Sequence, residues 1–180
     1  MYIWLSRPWG VVYSMTKWEW KPLILKYWLG PPHHTITLYN YNDVGAKIAS
    51  GSFLHDGMIV VPCSSNTLNE IAHGLGDNLI ARSAAVALKE RRRLVIAHRE
   101  MPLSPMDVNA YKLLTDAGAI VAPCNPGLYL NPTTVAEIVD FVSGKLLDLV
   151  GVKHNFDTRW DPKQPRPPVR YSDVTGTIRS

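Results

Sequence analysis

The chain has 180 residues, a length that fits one domain with little left over for a second. Hydrophobic residues make up 46% of it and charged residues 19%, so wholesale disorder and a fibrous protein are both disfavoured. No apolar run approaches the ~18 residues of a membrane span, and no secretory signal is visible in the first residues.

The net charge of +4 is mild, and no basic helix face with interleaved aromatic residues accompanies it. A solvated surface is therefore expected, with no nucleic-acid or membrane partner. Cys63 and Cys124 each follow a proline, and two cysteines in a chain without a secretory signal favour free thiols over a disulfide. No histidine stands at ligand spacing from them, which argues against zinc.

Composition divides the chain into three zones. Residues 1–40 form an atypical segment that holds five of the six tryptophans, with short strands expected at 10–14 and 36–39. Residues 41–160 have the regular alternation of an α/β domain. Residues 161–180 are rich in proline and predict an extended tail.

Three apolar runs in the middle zone, near residues 58–62, 94–98 and 119–122, predict strands that are buried on both faces. Helical spacing is found between and after them, over 66–73, over 77–90, from Ser104 or Asp107 to Gly118, and from Thr133 or Thr134 to about 150. This alternation predicts right-handed crossovers and a mostly parallel sheet. The expected fold is a three-layer α/β sandwich, flavodoxin-like or Rossmann-like.

In such sheets a ligand binds beyond the carboxyl ends of the strands, and polar side chains follow two of these strands. The run Ser64, Ser65, Asn66 and Thr67 stands where a helix begins, so it predicts either an anion site or ordinary helix capping. Arg99 and Glu100 follow the next strand. They are either a surface ion pair or a phosphate ligand beside an acid/base group.

The same segments resemble the flavin prenyltransferases, a UbiX-like family that includes the fungal phenylacrylic acid decarboxylase branch. The resemblance covers about residues 45–160 in the family's order and spacing. The matching words are Ser50-Gly51-Ser52-Phe53, Asp56-Gly57-Met58-Ile59-Val60-Val61-Pro62-Cys63-Ser64, Asp77-Asn78-Leu79-Ile80-Ala81-Arg82, Leu88-Lys89-Glu90-Arg91-Arg92, Arg99-Glu100-Met101-Pro102-Leu103, Gly118-Ala119, Tyr129, Leu147-Asp148 and Arg159-Trp160.

The resemblance implies a metal-free enzyme that joins a dimethylallyl group, taken from dimethylallyl phosphate, to reduced FMN. The prenylated flavin serves a UbiD-type decarboxylase, and the family assembles into homo-oligomers, often dodecamers. Without a secretory signal the expected location is cytoplasmic, or mitochondrial for a fungal protein with a further amino-terminal segment.

Site residues follow from the resemblance, position by position. The FMN contacts are Ser64, Ser65, Asn66, Thr67 and Arg99, together with a serine that maps to Ser14 or to Thr16. The remaining positions are Tyr129 and Lys145 for dimethylallyl phosphate, Arg82 and Lys89 as further phosphate-site cations, Glu100 as acid/base, and Trp160 as an aromatic lid. Lys145 stands where the family commonly has arginine. The positive charge is kept, but the two parallel hydrogen bonds that a guanidinium can form are lost.

The sequence also departs from the family's pattern. It has no counterpart of the opening strand and Gly-x-Ser/Thr-Gly-Ala-Ser loop that binds the FMN phosphate, so weaker FMN binding is expected, with residues 1–28 covering the sheet edge instead. Asn66 stands where the family usually has lysine, and Ala85 stands where it usually has aspartate. The alternative function is a non-catalytic flavoprotein-like subunit associated with a phenolic-acid decarboxylase. A cysteine decarboxylase of the wider superfamily is disfavoured, because the segment at 99–103 and Tyr129 fit the prenyltransferases better.

Overall fold

The computed structural model describes residues 2–6, 10–14 and 37–156. Six strands in these ranges form one sheet in the order β3-β2-β1-β4-β5-β6. They are β1 (Tyr2–Ser6), β2 (Gly10–Ser14), β3 (Thr37–Tyr39), β4 (Gly57–Cys63), β5 (Leu94–His98) and β6 (Ile120–Val121). β4, β5 and β6 pair in parallel, as do β2 and β3, so the three strands predicted in the middle zone are confirmed in place and direction.

β1 is the strand that the sequence pattern did not predict. It runs antiparallel to both of its neighbours, with Tyr2 opposite Val60 and Leu5 opposite Gly57. The pairing occupies the backbone hydrogen-bonding groups along one side of β4, which would otherwise be an open edge. The expectation that the amino-terminal segment covers this edge is therefore confirmed for the residues of β1.

In the part of the chain that the structure describes, four α-helices connect or follow the strands, and each begins at a side-chain cap. They are α1 (Ser65–Ala72), α2 (Leu79–Lys89), α3 (Pro105–Asp116) and α4 (Val135–Val150). Ser104 is the cap of α3, and Asp107 completes a capping box with it, so both predicted residues take part. Thr134 caps α4.

The core lies in two layers, one on each face of the sheet. Met58 and Val60 of β4 face α1, α2 and α3, whereas Ile59 and Val61 face α4, as the alternation of a strand requires. The predicted three-layer α/β sandwich is confirmed. No helix among the residues described is long and apolar enough to cross a membrane.

The two cysteines belong to different layers of this core. Cys63 is packed in the layer of α1 to α3, and Cys124 lies against the layer of α4. Both are free thiols, as predicted. Burial raises the pKa of Cys63 to about 12, so its thiol stays protonated and unreactive at neutral pH.

Candidate active site at the carboxyl edge of the sheet

The chain segments that follow β4, β5 and β6 meet at one edge of the sheet. The backbone amide of Arg99 donates to the carbonyl oxygen of Cys63 at 3.0 Å, and the amide of Cys124 donates to the carbonyl of His98 at 2.9 Å. Ser64 follows Cys63 directly. The prediction that the serine run and Arg99 share the carboxyl edge is therefore confirmed.

The serine run forms the start of α1 and carries out ordinary capping. The Ser64 hydroxyl accepts a hydrogen bond from the amide of Thr67 at 3.4 Å and donates to the Thr67 hydroxyl at 3.3 Å. Thr67 is buried, whereas Ser64 and Asn66 are exposed and Ser65 is half-buried. Capping does not exclude an anion, because the first amides of the helix have no intrahelical acceptor and point outwards.

Arg99 and Glu100 both extend into solvent at this edge. No ion pair joins their side chains in the described part of the chain. The nearest contact of the Glu100 carboxylate runs to the amide of Met101, with its Oε1 accepting at 3.4 Å. A guanidinium and a carboxylate that do not bind each other are available to a ligand, so the surface ion pair considered from the sequence is not formed.

Behind the crevice lies a polar network that sequence reasoning missed. His98 contacts the Ser65 hydroxyl through Nε2 at 3.2 Å and the Tyr111 hydroxyl through Nδ1 at 2.7 Å. Asp107 accepts from the Asn69 side-chain amide at 3.2 Å, which ties α1 to α3. One signal was visible in the sequence, since Asp107 and Tyr111 are four residues apart and must share a helix face.

The carboxylate of Asp107 gives a pH dependence that can be measured. Hydrogen bonds from the Ser104 side chain and backbone lower the pKa of Asp107 from 3.8 to about 2. Because the folded pKa lies below the unfolded one, this stabilisation is complete above pH ~4 and is lost as the pH falls towards ~2. We expect Asp107→Asn to lower the free energy of unfolding by about 1–3 kcal/mol at neutral pH and to flatten this acid limb.

Urea titrations at neutral pH and in the acid limb measure this effect. Asp116→Asn is the matched control, because Asp116 ends the same helix with an exposed ion pair to Lys112, which is worth little. Equal losses in the two variants would contradict the expectation.

Tyr129 lies on the other side of the sheet, against α4. It is part of a short 3-10 helix (Leu128–Leu130), and its ring meets Phe141 edge-to-face with centroids 5.9 Å apart. Lys145 stands one turn further along α4 and is exposed. A cavity of about 390 Å³ adjoins this contact, between α4 and the loop at Pro126 and Gly127.

Gly127 makes the contact between Tyr129 and Phe141 possible. A Cβ atom at this position would overlap the Phe141 ring and stand 2.8 Å from Cε1 of Tyr129. We expect Gly127→Ala to lower the free energy of unfolding by about 1–3 kcal/mol, because the rings must move apart. Thermal unfolding measures it. Gly45→Ala is the control, since its Cβ would meet only Asp43 Oδ1 at an ordinary 3.6 Å, and an equal loss there would remove the steric explanation.

The two remaining cations lie elsewhere in the chain. Arg82 and Lys89 are exposed on α2, in the layer opposite to α4. Lys89 is the last residue of α2 and precedes the start of β5, so it lies towards the amino edge, where its ammonium contacts Glu90 at 3.4 Å. Within a single chain, both cations therefore lie in the layer opposite to Tyr129, and Lys89 lies at the edge opposite to Arg99.

Three predicted positions remain, namely Ser14, Thr16 and Trp160. The backbone of Ser14 ends β2, which runs parallel to β4, so Ser14 stands at the carboxyl edge. Its alternative, Thr16, and the predicted lid residue Trp160 lie outside the described residues, as does the tail at 161–180.

A second cavity, of about 760 Å³, opens at the amino edge between the starts of the strands and the ends of the helices. Arg91, Arg92 and Arg93 line it, but none of the predicted site residues does. The carboxyl edge is where ligands bind in sheets of this kind, and it also holds the polar residues named above. We therefore place the candidate active site there.

Comparison with known proteins shows the family of this chain. A family model described as Flavoprotein matches residues 21–147. The flavin prenyltransferase UbiX of Thermoplasma acidophilum is 51% identical over 122 residues, which cover 68% of this chain and 68% of that protein. This chain belongs to the flavin prenyltransferase family.

Solved structures of the flavin prenyltransferase type share the fold. AnUbiX, crystallised in complex with FMN and dimethylallyl pyrophosphate, matches with a TM-score of 0.72 and 37% identity over 83% of this chain and 81% of its own. A dodecameric FMN-dependent UbiX-like decarboxylase from Escherichia coli matches with a TM-score of 0.71 and 37% identity over 83% of both chains. The chain spans between 56% and 68% of the length of the flavin prenyltransferases to which its sequence was aligned.

Proposed function

We propose that this chain transfers a dimethylallyl group from dimethylallyl phosphate to reduced FMN. The observation that carries the proposal is the meeting of Ser64, Ser65, Arg99 and Glu100 at the carboxyl edge of the sheet. A helix start with its hydroxyls, an arginine and a carboxylate provide donors for a phosphate or a flavin carbonyl and a group that exchanges protons. AnUbiX, a structural neighbour, was crystallised with FMN and dimethylallyl pyrophosphate, which supports FMN and a phosphorylated dimethylallyl compound as ligands.

Reduced FMN supplies the nucleophilic atoms of the reaction. Arg99, exposed beside the start of α1, binds phosphate through two parallel hydrogen bonds. As the bond between carbon and phosphate oxygen breaks, negative charge grows on the departing phosphate, and the cations of the site stabilise it. Glu100 moves a proton during ring closure. Tyr129 and Lys145 hold the dimethylallyl phosphate.

The position of the cations adds a requirement for assembly. Arg82 and Lys89 lie on the opposite layer from Tyr129 and Lys145. All four can serve one phosphate if a second copy of the chain brings its α2 to the crevice of the first. The Escherichia coli neighbour is dodecameric, which supports such a homo-oligomer.

The product has a defined use under this proposal. The prenylated flavin leaves the protein and serves a UbiD-type decarboxylase, with no metal needed in the transfer itself. A cytoplasmic location stays a prediction from the sequence.

An anaerobic assay tests the proposed function. The purified chain is mixed with chemically reduced FMN and dimethylallyl phosphate, and mass spectrometry follows a flavin that is heavier by one isoprene unit. We expect product with the native chain and a loss of about 100-fold or more with Glu100→Gln, in the range of general acid–base catalysis. Asn109→Ala, an exposed change on the outside of α3, is the control and keeps the rate.

One result would contradict the proposed transfer, and another would contradict only the role of Glu100. FMN binding without any product would support the non-catalytic subunit instead. Product formed at the same rate by Glu100→Gln would remove Glu100 from the mechanism.

A further inference from the structure

His98 is a buried residue beside the candidate site. It ends β5, only 2% of it is exposed, and it lies between the crevice and α3. Both ring nitrogens have partners, Ser65 at 3.2 Å and Tyr111 at 2.7 Å, and the Tyr111 ring meets it edge-to-face. Two hydrogen bonds and a perpendicular ring hold the imidazole in one orientation.

Both contacts fit a neutral imidazole. Burial lowers the pKa of His98, so near pH 7 one ring nitrogen donates a hydrogen bond and the other accepts one. In one arrangement that satisfies both contacts, the Tyr111 hydroxyl donates to Nδ1 and Nε2–H donates to the Ser65 oxygen.

Ser65 connects this buried pair with the crevice. It is the first residue of α1, half-buried, between the exposed Ser64 and Asn66. When Nε2–H of His98 donates to the Ser65 hydroxyl, one lone pair of that oxygen is used and the second can accept a hydrogen bond from a ligand.

We propose that His98 is a positioning residue, which fixes the Ser65 hydroxyl so that its oxygen accepts a hydrogen bond from an N–H group of the bound flavin. This inference rests on the proposed function, because it takes FMN as the ligand. Tyr111 acts one step further back and holds His98 in the tautomer that donates to Ser65. Sequence motifs gave no role to His98 or Tyr111.

A double-mutant cycle on FMN affinity, measured by quenching of flavin fluorescence, tests the inference. Ser65→Ala is expected to weaken binding about three- to tenfold, the worth of one neutral hydrogen bond. His98→Asn is expected to weaken it similarly in the native background and not at all in the Ser65→Ala background. An equal loss in both backgrounds would overturn the proposal.

Matched substitutions at His98 distinguish a positioning role of its ring from a purely structural role in packing. His98→Gln can place an amide donor near the position of Nε2, so affinity should stay within about twofold of native, whereas His98→Asn places its amide nearer Tyr111. Loss of affinity by both variants, in step with their melting temperatures, would indicate a structural role and contradict the inference. If the His98 variants do not fold, Tyr111→Phe provides an alternative test. This variant should weaken FMN binding only when Ser65 is present.

The native chain separates this inference from the proposed function. A native chain that does not bind FMN would contradict both. A native chain that binds FMN and forms product, with affinity independent of His98 and Ser65, would contradict this inference alone.

Discussion

Replacing Arg99 by alanine is expected to weaken FMN binding by about 10- to 150-fold, because each hydrogen bond to a charged group contributes ~1.5–3 kcal/mol. The guanidinium is exposed at the carboxyl edge, while its backbone amide holds the Cys63 carbonyl and stays in place in the variant. The loss should therefore appear in binding and leave the melting temperature almost unchanged. Fluorescence titration with FMN and thermal unfolding measure the two quantities.

Arg93→Ala is the matched control for this change. Arg93 is also exposed and stands at the other end of the same strand, immediately before Leu94, where it lines the cavity of the amino edge. FMN affinity should not depend on it. Equal weakening by the two variants would mean that the overall positive charge attracts FMN and that no specific contact is made at the carboxyl edge.

Truncating Ile96 to alanine is expected to have the largest effect on stability, a loss of about 2–5 kcal/mol in the free energy of unfolding. Ile96 is fully buried in β5, with Val60 of β4 beside it on one side and Val121 of β6 on the other. Neighbours on both sides limit collapse into the cavity left behind. A domain with ~5–15 kcal/mol of total stability would lose a large share of it.

Urea unfolding measures this loss, with Leu54→Ala as the control. Leu54 has an aliphatic side chain of the same size as that of Ile96, but 79% of it is exposed. Its truncation should therefore change the free energy of unfolding by no more than about 0.5 kcal/mol. Similar losses at the two positions would show that β5 is not at the centre of the core.

Hydrophobic pattern alone was enough to predict the framework of the domain. The apolar run of β4 lies between Gly57 and Pro62 and that of β5 between charged residues, so the positions of both strands were readable. Ser104 and Thr134 have the chemistry of helix caps, which marked the starts of α3 and α4. β1 was not, because its direction depends on pairing with β4, which is distant in sequence. Local propensity carries no information about such a partner.

The candidate site divides in the same way. The rule for strand ends found Ser64 and Arg99 without any motif, because consecutive parallel strands end at one edge. His98 was overlooked because it ends an apolar strand, and only the three-dimensional structure shows Ser65 and Tyr111 on either side of it. The separation of Lys89 from Tyr129 depends on which face of the sheet each helix covers, and the sequence pattern does not fix that.

The separation of Arg99 and Lys89, at opposite edges of the sheet, has a consequence for genetics. Suppose that a site takes Arg99 from one copy of the chain and Lys89 from another. A substitution at either residue then removes activity from every site when all copies carry it, but not when copies with different substitutions assemble together. Copies that carry Arg99→Ala, assembled together with copies that carry Lys89→Ala, would contain some sites with both native side chains. Two inactive alleles could then restore activity to each other, and dilution that separates the copies would abolish it again.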